Sequence, residues 1–122
     1  AAAANAVLDV LSAPGAYESL FAAGAALRAG IARSFEKAGV AVQVYGDGPL
    51  AQYQLTRTPV SSMATEATAD RTTRRALDLE MVRQGIFINP MLTKIYVSLG
   101  HDQQAIDSYL SALEIAIEKV IR

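Results

Sequence analysis

Apolar and polar side chains alternate over a short stretch in the last third of the chain. Ile95, Val97 and Leu99 fall on one side of this stretch, and Tyr96 and Ser98 fall on the other. A period of two residues is that of a β-strand, whose successive side chains point to opposite faces. We therefore predict a short strand with one strongly apolar face.

A helix is predicted directly after this strand. Asp102 suits its first boundary, because an aspartate carboxylate accepts hydrogen bonds from the unpaired backbone N–H groups of a first helical turn. Apolar residues then recur at spacings of three and four and form a single stripe, which consists of Ile106, Leu110, Leu113, Ile117 and Val120 or Ile121. Such a stripe has to pack against another layer of the protein.

Two further helices are predicted at the start of the chain. Residues 1–11 are rich in alanine, which has the highest helix propensity, and Pro14 and Gly15 end that helix. A second helix follows and runs to Gly39, with an apolar stripe made of Leu20, Leu27, Ile31 and Phe35.

The middle of the chain is predicted to form a hairpin and a third helix. Residues 40–45 and 50–56 have strand patterns, and a glycine- and proline-containing turn at residues 46–49 separates them. Residues 65–84 have a helical pattern that Gly85 ends, and residues 86–88 form a short apolar strand. We thus predict one α+β domain over residues 1–122, with helices packed on one face of a small, mainly antiparallel sheet.

Composition and charge exclude several classes of protein. The 122 residues include 52% hydrophobic and 19% charged side chains, and the formal net charge is −1. A chain of this kind is expected to fold as one domain and is not expected to bind nucleic acid. No run approaches the roughly 18 apolar residues that cross a membrane, so we expect a soluble protein that binds no membrane.

The chain contains no cysteine and a single histidine. Disulfides, thiolate metal sites and a cysteine nucleophile are therefore excluded, and no metal site is predicted. The lack of cysteine is compatible with a reducing compartment, and we expect a cytoplasmic location. His101, at the turn from strand to helix, is expected to bond to nearby backbone groups and not to act in catalysis.

The remaining polar clusters are most simply explained by structure. Four arginines of the third helix, Arg71, Arg74, Arg75 and Arg83, alternate with Asp70, Asp78 and Glu80, which predicts a solvated face of mixed charge. The Gly46-Asp47-Gly48 sequence resembles a phosphate loop only superficially, because a strand and not a helix follows it. Ser61 and Ser62 lack any motif that would activate a hydroxyl group and are expected to be loop residues.

Lys94 is less easily explained by packing, because it stands alone in an otherwise apolar strand. Edge strands often carry a lysine that discourages pairing with another chain. The alternative is that Lys94 contacts a ligand.

The order of elements and several sequence segments together resemble the C-terminal small domain of class III, fold type I aminotransferases, which depend on pyridoxal phosphate (PLP). The branch that it resembles most is glutamate-1-semialdehyde 2,1-aminomutase-like. Matching patterns extend over nearly the whole chain, and they are the alanine-rich helix of residues 1–11, the strand pattern "aGv.v.v" at residues 38–44, "G.G" at residues 46–48, the alternating strand of residues 50–56, "pv" at residues 59–60, "l...Gv...p" at residues 81–90, and "fvS.aHt..did" at residues 96–107.

This resemblance implies a part of a longer enzyme. The parent transaminase or aminomutase would use PLP on a lysine of its large domain, so this chain alone is expected to hold no cofactor, to have no catalytic residue and to be inactive. Residues 1–12 would be the truncated end of a connecting helix, since that helix begins without a cap. The expected partners are the missing large PLP-binding domain and a second subunit in a homodimer of the parent enzyme.

The resemblance also places Thr93 and Lys94 in the wall of the substrate pocket, beneath a cover that the small domain forms. When the sequences are registered on Ile106 and Asp107, Lys94 falls where ornithine-type relatives carry an arginine that holds a substrate carboxylate. Thr93 falls where the aminomutase branch has a glutamate within "FEAGF", which differs from the sequence here. The departure favours transfer of an amino group over the aminomutase reaction.

Two other functions are compatible with the residues alone. The chain could be a free-standing α+β module that binds a protein or a small ligand, in which case its core would be self-contained. An independent hydrolase is disfavoured, because no nucleophile and base can be paired.

Overall fold

A computed structural model describes residues 1–88 and 94–122. The fold in these two ranges is α+β, as predicted, and its elements are α1 (Ala2–Leu11), α2 (Ala16–Lys37), β1 (Gln43–Tyr45), β2 (Leu50–Gln54), α3 (Met63–Glu66), α4 (Arg71–Arg83), β3 (Lys94–Tyr96) and α5 (Gln103–Ile121).

The three strands form an antiparallel sheet with β2 in the centre. Val44 pairs with Tyr53 and Ala51 pairs with Ile95, so these four side chains share one face of the sheet. Helix α2 packs against β1 and β2, and α5 packs against both α2 and α4. The helices thus cover the face that carries Tyr53, as the sequence predicts.

The core lies between the sheet and the long helices. Its largest fully buried side chains come from every layer, and they are Tyr53, Phe35, Leu27, Ile31, Leu77, Met81, Leu113 and Ile117. The predicted stripe of α5 supplies Ile106, Leu113 and Ile117 to this core, and Leu110 packs against its margin. Asp102 caps α5 as predicted, because its Oδ1 accepts from the Ala105 N–H at 2.8 Å.

Two sequence predictions about the third helix and its end are wrong. The single helix predicted for residues 65–84 is divided into α3 and α4, because Asp70 ends the connection by donating its N–H to the Leu55 carbonyl and caps α4 through Thr73. The predicted strand at residues 86–88 is not formed. Ile86 instead donates its backbone N–H to the Met81 carbonyl of α4, which closes the end of that helix around the left-handed Gly85.

The second face of the central strand is also buried, which the alternating pattern of β2 does not predict. Gln52 and Gln54 have only 7% and 3% of their surface exposed. Gln54 is satisfied by a side chain of α3, because its Nε2 donates to Glu66 Oε1 at 2.9 Å. A buried amide needs such a partner, so the short α3 explains how a polar strand face can be covered.

The turn of the hairpin packs directly on the backbone of α2. Arg28 on α2 holds this turn, since its Nη1 donates to the carbonyl oxygens of Gly48 and Leu50 at 2.9 and 2.7 Å. Gly24 is buried beneath the turn, and a Cβ atom there would overlap the Gly48 carbonyl. The close approach therefore requires glycine at position 24.

We predict that Gly24→Ala destabilises the protein, because the new methyl group meets backbone atoms that cannot rotate away. Overpacking of this kind typically costs about 1–3 kcal/mol, which exceeds the gain of up to about 1 kcal/mol in helix propensity. Urea unfolding followed by circular dichroism would measure the change.

Gly30→Ala on the same helix is the matched control. The atoms nearest to its Cβ belong to the flexible side chain of Leu110, so we expect a smaller loss. Equal losses for the two variants would contradict the proposed backbone contact.

Candidate functional site

Lys94, one of the two residues predicted to lie in the substrate pocket, is on β3 at the edge of the sheet. Lys94 is exposed on β3, which pairs with β2 on one side. Lys94 lies opposite Gln52, which in turn lies opposite Tyr45, so the three side chains form a row across the sheet face away from the core. Thr93, the other predicted pocket residue, lies outside the described residues.

The turn after β3 has the local role that the sequence predicts for its histidine. The Nδ1 atom of His101 accepts from the Ser98 backbone N–H at 2.9 Å and lies 2.9 Å from the Ser98 hydroxyl. An Nδ1 that accepts from an amide carries no proton, so the neutral ring is protonated on Nε2. His101 thus shapes the turn that leads from β3 into α5.

Arg74 contradicts the prediction that the arginines of α4 form one solvated face. Only 7% of Arg74 is exposed. Its Nε donates to Asp78 Oδ1 at 3.0 Å and its Nη1 donates to the Tyr53 carbonyl at 2.6 Å. The guanidinium also lies over the Tyr53 ring, 3.7 Å from the ring centroid, in a cation–π contact. We call Arg74, Asp78 and Tyr53 the arginine cluster.

The electrostatics of the arginine cluster favour a charged guanidinium. Burial acts to lower the pKa of Arg74, but its surroundings, among them the hydrogen-bonded Asp78 carboxylate, raise that pKa above its usual value. Burial raises the pKa of the Tyr53 phenol, so its ring stays neutral beneath the cation.

The sequence contains a signal from which this cluster could have been predicted. Arg74 shares a helix face with Leu77 and Met81 at spacings of three and seven, and Asp78 follows it at the ion-pairing distance of four.

Glu80 is a second exception to the prediction of a solvated charged face. It is 7% exposed and accepts from Lys119 on α5 at 2.7 Å, and Arg83 lies 3.5 Å from its other oxygen. The hydrogen bond from Lys119 is the main reason that the pKa of Glu80 is lowered, although burial opposes it. This ion pair joins the outer parts of α4 and α5.

The lysines of the chain provide no site for PLP. Lys37 forms a surface ion pair with Glu114 at 3.5 Å, Lys119 is engaged by Glu80, and Lys94 stands exposed on the sheet. A lysine that forms a Schiff base is usually activated in a desolvated pocket, and none of these three is buried. These residues therefore do not fit the cofactor, and no catalytic step can be assigned to them.

Over residues 1–88 and 94–122 there is also no group of acidic or histidine side chains arranged to hold a metal.

Helix α1 exposes an apolar surface that the rest of the described chain leaves uncovered. Val7, Leu8 and Val10 have 57%, 60% and 55% of their surface exposed. Beside them, a shallow apolar groove continues between α1 and the end of the β3 region, lined by Leu20 and Leu99. Isolated exposed apolar residues are common, but a contiguous group on one helix is typical of an interface.

None of the helices in the described ranges is long and apolar enough to cross a membrane.

Comparison with known proteins connects this arrangement to one class of enzyme. No protein-family profile matches the chain. Over 122 residues, 99% of the chain, it is 30% identical to glutamate-1-semialdehyde 2,1-aminomutase 2 of Brevibacillus brevis, of which it covers 28%.

Several solved structures match the fold, among them the following two. A β-phenylalanine aminotransferase of Variovorax paradoxus is 28% identical, with a TM-score of 0.75 over 83% of this chain and 23% of that enzyme. A glutamate-1-semialdehyde aminomutase of Pseudomonas aeruginosa PAO1, solved with PMP, is 16% identical and has a TM-score of 0.80 over 88% of this chain and 24% of that enzyme. A transaminase with PLP bound and the PLP internal aldimine form of the FumI protein of Sphingopyxis sp. MTA144 also match.

The predicted resemblance to the C-terminal small domain of class III, PLP-dependent aminotransferases is thereby confirmed. Within that class, a glutamate-1-semialdehyde 2,1-aminomutase is one relative that matches nearly the whole chain. The chain spans only about a quarter of the length of the proteins that it matches.

We predict that Arg74→Met destabilises the protein by about 3–5 kcal/mol, because it leaves Asp78 and the Tyr53 carbonyl without their buried partner. Arg74→Lys keeps the charge but not the planar fork that serves both acceptors, so an intermediate loss is expected. Chemical denaturation of the two variants would measure these changes, with Arg75→Met on the exposed side of α4 as the control. A loss for Arg74→Met no larger than that for Arg75→Met would show that the arginine cluster contributes little.

Proposed function

We propose that this chain acts as the small domain of a PLP-dependent aminotransferase or aminomutase and has no catalytic activity by itself. The observation that carries the proposal is the 30% identity to an aminomutase along 99% of the chain, together with the transaminase fold. The proposed role is to form part of the substrate-pocket wall and a cover over it. In this role, the groups that hold PLP belong to a large domain, and the whole enzyme is a homodimer.

The exposed surface of α1 supports this proposal over a free-standing module. A self-contained module would bury its apolar side chains, whereas Val7, Leu8 and Val10 are more than half exposed. A large domain packed on α1 would remove this surface from water, at a gain of roughly 25 cal/mol for each Å² of apolar area. The free-standing binding module remains the second hypothesis, and it has no comparable explanation for α1.

The state of the lysines leads to a direct test of the proposal. With PLP added, the 122-residue chain is expected to develop no lysine-dependent visible absorption and no stoichiometric adduct after borohydride reduction. A longer polypeptide that includes a PLP-binding domain is expected to show both. Mass spectrometry of the reduced samples would locate any modified lysine. A stoichiometric adduct in the short chain that is lost in a single Lys→Arg variant would overturn the proposed division of labour.

Lys94 is proposed to contribute positive charge to the substrate pocket of the longer enzyme. It is exposed on β3, and the ion pairs found among the described residues do not include it. A lysine attracts a substrate carboxylate as a point charge and lacks the two-pronged geometry of arginine.

In the longer enzyme, we expect Lys94→Gln to raise the KM for an amino acid substrate by about 10-fold or more and to change the KM for an amine without a carboxylate little, since a hydrogen bond to a charged group contributes about 1.5–3 kcal/mol. Lys119→Gln, which removes a lysine engaged by Glu80, is the control. Steady-state kinetics with the two substrates would separate the effects. An equal rise in KM for both substrates would show that Lys94 has no specific role toward the carboxylate.

A further inference from the structure

The turn of the hairpin contains the one Asp-Gly pair of the sequence, Asp47-Gly48. Asp47 is exposed to water, whereas Gly48 is buried against α2. In such a pair, the backbone nitrogen that follows the aspartate can attack the Cγ atom of the aspartate side chain, because glycine has no Cβ atom that would shield this nitrogen. The product is a five-membered succinimide ring. Hydrolysis of the ring gives either aspartate or isoaspartate.

The folded turn brings the two reacting groups together. The Gly48 backbone N–H donates to Asp47 Oδ1 at 2.8 Å, so the nitrogen lies beside the carboxyl carbon to which that oxygen is bonded. Gly48 has a φ of 51°, which is a left-handed conformation that glycine adopts readily. A reaction within one molecule is fast when the reacting groups are held close together before the reaction begins.

Hydrogen bonds on both sides of Gly48 hold this geometry. Leu50 donates its backbone N–H to the Asp47 carbonyl at 3.0 Å, which closes the turn. The same bond polarises the peptide group between Asp47 and Gly48, so it makes the Gly48 N–H more acidic. On the far side, Arg28 Nη1 donates to the carbonyl oxygens of Gly48 and Leu50 at 2.9 and 2.7 Å. The attacking nitrogen is thus both positioned and activated.

We propose that Asp47 is a site of spontaneous isomerisation to isoaspartate, and that the fold accelerates this reaction. The Gly48 nitrogen loses its proton and bonds to Cγ of the protonated Asp47 carboxyl group, whose hydroxyl group leaves, so one water molecule is released. A second water molecule then opens the ring. Opening at the former main-chain carbonyl makes that carbonyl a free carboxylate and leaves the main chain running through the former side chain. The proposal does not depend on the function of the longer enzyme.

Isoaspartate at this position would disturb the contact between the hairpin and α2. It adds the Cβ methylene group of Asp47 to the main chain directly before Gly48. The Gly48 carbonyl lies so close to Gly24 that a Cβ atom at position 24 would overlap it. The longer main chain cannot keep this contact and the hydrogen bond to Arg28 at the same time. We therefore expect the isomerised protein to be less stable than the original one.

The test is to incubate the folded 122-residue chain at neutral pH and body temperature and then to digest it with trypsin. Cleavage after Lys37 and Arg57 releases residues 38–57, in which Asp47 is the only acidic residue. Chromatography separates the isoaspartyl form of this peptide, and electron-transfer fragmentation identifies it. A synthetic peptide of residues 38–57, incubated in the same way, is the reference without the fold.

We expect isoaspartate to form roughly 10-fold faster in the folded chain than in the synthetic peptide, which corresponds to fixing the backbone of one residue in advance. A rate in the folded chain equal to or below that of the peptide would overturn the proposal. So would faster isomerisation at any other aspartate of the chain.

Two variants separate the chemistry of position 47 from damage elsewhere. Asp47→Asn should react faster than the original chain, because ammonia leaves an amide more readily than water leaves a carboxyl group, and each deamidation raises the mass of the peptide. Its rate should again be higher in the folded chain than in the matching peptide. Asp47→Glu should suppress the reaction, since attack would have to form a six-membered ring. Isomerisation of the same peptide that continues in Asp47→Glu would refute the assignment.

Urea unfolding tests the consequence for the fold. The purified isoaspartyl chain is expected to unfold at a lower urea concentration than freshly prepared protein. An unchanged midpoint would show that the contact of Gly48 with Gly24 and Arg28 survives the modification, which contradicts the proposed geometry.

Discussion

The packing of this domain depends on Tyr53, at the centre of a sheet that has only three strands in the described chain. Phe35 of α2 lies against it with ring centroids 5.2 Å apart, and the Arg74 guanidinium of α4 lies over its ring. A small sheet offers few large side chains to the helices, so one buried aromatic residue has to serve two of them. The guanidinium of Arg74 is charged and buried in this contact. Its hydrogen bonds to Asp78 and to the Tyr53 carbonyl offset the cost of removing that charge from water.

Much of this architecture follows from local patterns in the sequence. The stripe of α5, its cap at Asp102, the hairpin and the left-handed end of α4 at Gly85 each depend on residues close together in the chain, and each is predicted correctly. The division between α3 and α4 is less predictable. It depends on a hydrogen bond from the Asp70 N–H to the Leu55 carbonyl at the end of the hairpin. The spacing of apolar residues along the sequence does not predict such a contact.

The buried polar residues show a similar limit. Arg74, Glu80 and Gln54 are placed by partners on other elements, so a rule that assigns charged side chains to the surface misplaces them. Of the predicted pocket residues, Lys94 lies on an exposed strand as its position in the sequence indicates, whereas its relation to a substrate depends on parts of an enzyme beyond this domain. The family resemblance was recognisable from ordered patterns along the whole chain, and the comparisons agree with it.

The contact between Gly24 and Gly48 joins helix and hairpin through main-chain atoms, with no side chain between them. The position of β2 is thereby set by glycine and by carbonyl geometry, and β3 takes its position from β2 through the ladder. Side chains at the outer edge, including Lys94 and Tyr96, can therefore be exchanged without moving the frame that presents them. The exposed side chains of β3 can thus change one at a time during evolution while the backbone of the sheet keeps its position.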